Sequence, residues 1–311
     1  MSEEGVMAAA PSGAQYEITG HGYRAVVTGT GATLRVLQYD SRDLIVSFAE
    51  DQPMVNFRGV LAAPWPNRIA DGRYHLDGVT QQLPINEPSR ECALHGLVYD
   101  RAWRLVHHSD SEVVLGLRLP VGDGYPFQLD LLARYWLSPV GLTTSIEATN
   151  AGTGTAPYGV CPRPYLRAGD SPLHTWQLSL PAERYLRVTP DRLLPDGLAD
   201  VVDGPFDFRQ PCPIGSVQID HAFTGLVRDS DGVATVELRD TDGSGVAMSW
   251  GTDCPWLQIH TADLPTPGMN RLGLAVEPMT CAPDAFNSGT DLIWLSPGAS
   301  HRASWVIAAL A

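Results

Sequence analysis

A chain of 311 residues, 44% hydrophobic and 18% charged, holds enough apolar material for a large core, which excludes disorder of the whole chain. Its formal charge is −14, and arginine stands at every Lys/Arg position, so Schiff-base aldolases, pyridoxal-phosphate enzymes and Walker-type phosphate loops lack their central lysine. The acidic balance opposes the counterion release that drives nucleic-acid binding, leaving a small neutral or polar ligand as the expected partner.

Residues 1–13 carry early glutamates and a small-residue run, without a basic n-region or a sufficient apolar h-region. They read as an unstructured tail with no targeting role. From residue 14 to 311 no linker or composition shift divides the chain, which argues for a single domain. Asp-Gly pairs at 71–72, 77–78, 123–124, 196–197, 203–204, 231–232 and 242–243 predict tight turns. Between such signals, Glu112 to Leu119, Leu129 to Leu137, Leu142 to Thr149, Thr235 to Arg239 and Ala303 to Ala308 alternate or run apolar over strand lengths. Many short strands without a helical period predict an all-β chain of stacked antiparallel sheets, as a sandwich or closed barrel. No run of 18 apolar residues supports a membrane span. The five cysteines are odd in number and never form a C-x-x-C pair, so they read as reduced thiols of a cytoplasmic protein. No histidine spacing beyond the adjacent His107-His108 pair suggests a metal site, and none is expected.

Polar groups beside glycine, proline and aromatic residues mark four places for chemistry. The first holds Asn67 and Arg68, just after Trp65-Pro66, where a guanidinium on stiff backbone serves as a donor fork for a ligand or pairs with a carboxylate. The second runs from Asn86-Glu87-Pro88 to His95-Gly96, and the imidazole there either transfers protons or ties down a turn. Asp220, in Ile219-Asp220-His221, either holds a hydroxyl or caps a turn. Glu277 ends an apolar run from Leu272; burial there would raise its pKa toward that of a general base, and an arginine is expected beside it. The alternative is a glutamate simply buried against that arginine.

Taken in order, Asn67-Arg68-Ile69, Asp71-Gly72-Arg73, Leu76-Asp77-Gly78, Leu94-His95-Gly96, Gly124-Tyr125-Pro126, Asp220 with Phe223, and Val276-Glu277-Pro278-Met279-Thr280 resemble the aldose 1-epimerases over nearly the whole chain. The resemblance implies an antiparallel β-supersandwich of the galactose mutarotase type, an open monosaccharide site, no cofactor, and interconversion of α and β anomers. It also implies Glu277 as the base on the anomeric hydroxyl and His95, Arg68, Asp220 and Asn67 as groups around the sugar, His95 being the first candidate for the acid. The sequence departs from the family where a second histidine is usual, in a Gly-x-x-His-Pro-Tyr string. Here Pro162-Arg163-Pro164-Tyr165 puts Arg163 in that place. A guanidinium keeps its proton far above neutral pH and is a poor general acid. Arg163 is expected instead to orient hydroxyls, to pair with Glu277, or to bind an anionic group on the ligand such as a phosphate or uronic carboxylate. His260, sharing a strand face with Gln258, and His174 read first as hydrogen-bonded structural histidines and otherwise as further candidates for the proton donor. A slow or specialised mutarotase, a non-catalytic sugar-binding protein, and a fold redeployed for another reaction of a cyclic hemiacetal all accommodate the change. So do a monomer and a dimer.

Overall fold

Period-two alternation decides which way each strand faces. Along Leu129–Ser138, Leu129, Leu131, Ala133, Tyr135 and Leu137 are buried, while Leu132 and Arg134 between them are exposed. The structure, a computed structural model, describes residues 11–122, 124–266 and 268–311.

Two large sheets dominate. The nine-stranded sheet runs Arg104–His108, Glu112–Leu119, Leu129–Ser138, Gly141–Asn150, Ser300–Leu310, Gly245–Trp250, Ala234–Arg239, Gln177–Ser179, Cys212–Pro213. The six-stranded sheet runs Tyr165–Leu166, Leu274–Met279, Trp256–His260, Asp220–Leu226, Ala182–Val188, Pro195–Asp200. Neighbours in both are antiparallel. Leu131, Ile146 and Ile307 from the first and Phe223, Leu257, Ile259 and Val276 from the second share one core, as two stacked sheets must. A four-stranded N-terminal sheet adds Ile18, Val27 and Leu37 to the same core. Among the described residues the only α-helix is Ala285–Ser288. The all-β, single-domain expectation is met, and the five strands read from the sequence are all present.

Two details differ. Of the expected tail, residues 1–10 lie outside the described residues, but Ser12 is buried and its hydroxyl donates to the Glu50 carbonyl. Asp196-Gly197 is no turn: it lies inside Pro195–Asp200, where Gly197 takes φ +82° close to a register shift opposite Leu186 and Val188. There the Asp-Gly signal marks a bulge in a strand. Asp123 of another expected turn lies outside the described residues. No helix among the described residues is long and apolar enough to cross a membrane.

Candidate active site

The two faces of the six-stranded sheet have opposite jobs. On Trp256–His260 and Leu274–Met279, Leu257, Ile259, Leu274 and Val276 point into the common core. Their alternates Gln258, His260, Ala275 and Glu277 therefore project from the other face. Register then assembles the site: Gln258 lies opposite Glu277, and Asp220 opposite His260. Direct antiparallel partners share a face, so residues remote in sequence meet across three adjacent strands. Small apolar clusters flank them, with Ala222, Trp256 and Met279 on one side and Tyr165, Ala262 and Ala275 on the other.

The opposite wall comes from loops. Arg68–Ala70 pairs with Cys92–Leu94, placing Arg68 across from Leu94 and His95 just beyond. Asn67 and His95 both adopt left-handed backbone, at φ +51° and +59°, and the His95 amide donates to the Asn67 carbonyl at 2.9 Å. Asn86 braces this wall, exchanging hydrogen bonds with both backbone groups of Leu94. The result is a cleft of about 360 Å³ lined by Asn67, Arg68, His95, Arg163, Asp220, Gln258, His260 and Glu277, among others. That is the size range of small-molecule sites.

Of the site residues expected from the sequence, Asn67, Arg68, His95, Arg163, Asp220, His260 and Glu277 line this cleft, but several are already committed. Arg68 grips Glu87 with two hydrogen bonds of 2.7 and 2.9 Å and stands 3.9 Å from Asp220. Its fork thus meets a carboxylate of the chain itself. The side-chain oxygen of Asn67 accepts from the Arg68 amide. Asp220 accepts from Gln258 at 2.7 Å and lies 3.8 Å from Nδ1 of His260. His174 lies on an exposed 3₁₀ turn and does not line the cleft. Tyr125, part of another motif, is a buried brace donating to the Pro157 carbonyl.

Glu277 is 1% exposed, and burial pushes its carboxyl up to about 7 even though Arg163 pulls the other way. The arginine expected beside it is Arg163, whose Nε stands 3.1 Å from Oε1. The pair is poorly aligned, since neither of those atoms makes a hydrogen bond among the described residues. Nη1 of Arg163 donates to the Asn56 carbonyl and to the Tyr165 hydroxyl, while its backbone is held by Val60 and Gly59. Burial and the guanidinium groups of Arg163 and Arg68 hold His95 well below the usual imidazole range, so its ring is neutral at pH 7. Burial also lowers His260, but Asp220 opposes that shift. Conversely, burial would raise Asp220, and His260, Arg68 and Arg163 together hold it low, as a carboxylate. The cleft therefore holds a carboxyl that titrates near neutrality, two imidazoles with different neighbours, and permanent cations at Arg68, Arg90 and Arg163.

Sequence reading passed over Glu87, Cys161 and Tyr165. Glu87 was visible only as part of a polar string, and Cys161 had no signal beyond its place two residues before Arg163.

The family model described as Aldose 1-epimerase matches residues 14–308. Escherichia coli K12 YihR, described as an uncharacterized protein, is 33% identical over 292 residues, covering 94% of this chain and 92% of that one. The Escherichia coli K12 aldose 1-epimerase is 27% identical over 210 residues, covering 65% and 59%. Among solved structures, a Caenorhabditis elegans GalM/aldose epimerase homologue superposes with a TM-score of 0.84 at 20% identity, covering 96% and 98%. A galactose 1-epimerase from Lactobacillus acidophilus gives 0.77 at 22%, covering 94% and 92%. At such identities these structures speak for the galactose mutarotase-like fold.

Proposed function

Because the chain belongs to the aldose 1-epimerase family, we propose that it interconverts the α and β anomers of an aldose, with Glu277 as the base on the anomeric hydroxyl. The observation that carries this is a buried carboxyl at about 7, in an open polar cleft, with Oε1 lacking a hydrogen bond. A general base works best when its pKa lies near the working pH. Proton removal at O1 and proton delivery to the ring oxygen open the ring, the aldehyde turns about C1–C2, and closure in the reverse sense gives the other anomer.

The delivered proton comes from an imidazole. His95 is enclosed by Arg68 and Arg163, which disfavour its charged form, so its suitable role is a neutral hydrogen-bonding partner of the sugar. His260 has the Asp220 carboxylate beside it, which favours the charged form, and on this ground His260 is the better acid. Arg68 and Asp220 orient hydroxyls. Arg163 contributes Nη2, which neither faces Glu277 as Nε does nor hydrogen-bonds as Nη1 does among the described residues, and helps stabilise developing negative charge. The cleft lining holds three arginines against four carboxylates. That balance suits a neutral monosaccharide, and an anionic sugar is the secondary choice, dependent on Nη2 of Arg163.

Proton NMR or polarimetry on fresh α-glucose, α-galactose and a sugar phosphate tests the reading. At least one should equilibrate faster with protein than in buffer, and Glu277→Gln should lose about 10²–10⁴-fold of that rate. A second reading, sugar binding without turnover, is favoured by the hold of Arg163 on Glu277 at 3.1 Å. Saturable binding with no acceleration for any of the three sugars would replace the first reading with the second.

A further inference from the structure

We propose that His95, Cys161 and Glu277 form a binding site for a thiophilic divalent cation of the Zn²⁺ class, at which the ion blocks the cleft. One ligand atom from each lies within 4.8 Å of the other two. All three side chains are buried, with His95 3%, Cys161 0% and Glu277 1% exposed. Among the described residues, Oε1 of Glu277 and Nδ1 of His95 have no hydrogen-bond partner, and the remaining contact inside the cluster is long, Cys161 Sγ to Glu277 Oε2 at 3.9 Å. Buried polar atoms left unpaired are costly, and a ligand bridging them would relieve that cost.

Imidazole, thiolate and carboxylate together are a donor set suited to Zn²⁺, and three protein ligands leave a fourth position for water or sugar. His95 and Glu277 line the cleft, so an ion can enter from solvent. Bond lengths of about 2.0–2.3 Å require the donors to close in by about 1 Å, within reach of side-chain rotation. Binding forms a metal–sulfur bond and releases to buffer the Cys161 thiol proton together with the carboxyl proton wherever Glu277 carries one. Thiolate and carboxylate then neutralise the divalent charge. Arg163, 3.1 Å from Oε1, opposes the ion and keeps the affinity below that of a structural zinc site. The sequence hid this site because its ligands come from a left-handed loop, a two-residue strand opposite Leu61–Ala62, and the six-stranded sheet.

Only the inhibitory consequence rests on the proposed function, through Glu277 as base. Titration with Co²⁺ tests binding directly through the thiolate-to-cobalt charge-transfer band in the near ultraviolet. One equivalent should produce the band in the unaltered chain and in Cys212→Ser, whose thiol lies outside the cluster. Cys161→Ser should lose the band, and Glu277→Gln, which keeps the thiol, should need at least tenfold more Co²⁺. If the unaltered chain acquires no band, or Cys161→Ser keeps it, the site does not exist. If some sugar is turned over, Zn²⁺ should slow it and EDTA should restore it; a bound ion that leaves the rate unchanged would overturn the blocking role. Absence of turnover on every sugar, with the cobalt band present, would instead count against the proposed function.

Discussion

Burying Glu277 has a thermodynamic consequence that separates its role from that of an ordinary ion pair. Moving a carboxyl from its ordinary 4.5 to about 7 makes the ionised form about 3 kcal/mol less favourable in the folded chain. Between those values the folded chain holds a proton that the unfolded chain has released. This contribution is therefore full below pH 4.5 and is lost as pH rises through about 7. Glu277→Gln removes the liability and should raise stability at pH 8 by roughly 1–3 kcal/mol while leaving it nearly unchanged at pH 4.5. The lower end reflects Arg163, which loses its partner. Urea unfolding at the two pH values checks this, and a less stable variant at pH 8 would mean that the ion pair outweighs desolvation.

Among the groups that oppose burial at Glu277, Arg163 is the strongest, ahead of Arg68 and Cys161, so its replacement moves the base. Arg163→His should shift the acidic limb of the pH–rate profile to higher pH. It should also raise kcat by tenfold or more, because a further imidazole, able to deliver a proton where the guanidinium cannot, then faces the sugar. An unchanged limb would mean that Arg163 does not tune the base. These two residues were legible in the sequence, Glu277 as a carboxylate ending an apolar strand and Arg163 as the break in a motif. Gln258 and His260 were half legible: alternation put them on one face, but only register with Asp220 and Glu277 shows which face. Cys161 was not legible, since an isolated cysteine looks the same in a core and in a site.

Among the structural elements, the loop carrying His95 depends on glycine. Gly96 has φ +76°, and a Cβ there would stand 2.0 Å from the Ala63 carbonyl oxygen, a backbone atom that cannot swing aside. Gly78 has almost the same φ, +78°, but open space around it, on the hairpin joining Arg73–Leu76 to Val79–Gln82. The comparison isolates contact from backbone strain. Gly78→Ala should cost about 1 kcal/mol, and Gly96→Ala about 2–4 kcal/mol, together with at least a tenfold loss of any mutarotation as His95 is displaced. Denaturation midpoints of the two variants give the answer; equal losses would remove the role assigned to close approach. Turn chemistry explains why Asp71-Gly72 and Asp242-Gly243 were readable and Asp196-Gly197 was not. The dipeptide reports a left-handed glycine, which a hairpin and a strand bulge both use.

At the scale of the whole molecule, the end of the chain lies at the middle of the larger sheet. Ser300–Leu310 pairs with Gly141–Asn150 on one side and Gly245–Trp250 on the other, and it buries Ala303, Trp305 and Ile307. Removing residues 299–311 would strip each neighbour of one of its two ladders and delete three core side chains. At about 3–5 kcal/mol for a tryptophan and 2–5 for an isoleucine, before any backbone loss, this approaches the whole stability of a typical domain, about 5–15 kcal/mol. The site would go with it, because the strands carrying Glu277, His260 and Asp220 keep their inner faces against that sheet. The truncated chain should thus show no cooperative unfolding transition by circular dichroism and no saturable sugar binding. A folded, sugar-binding truncation would show that the six-stranded sheet holds the cleft without its partner.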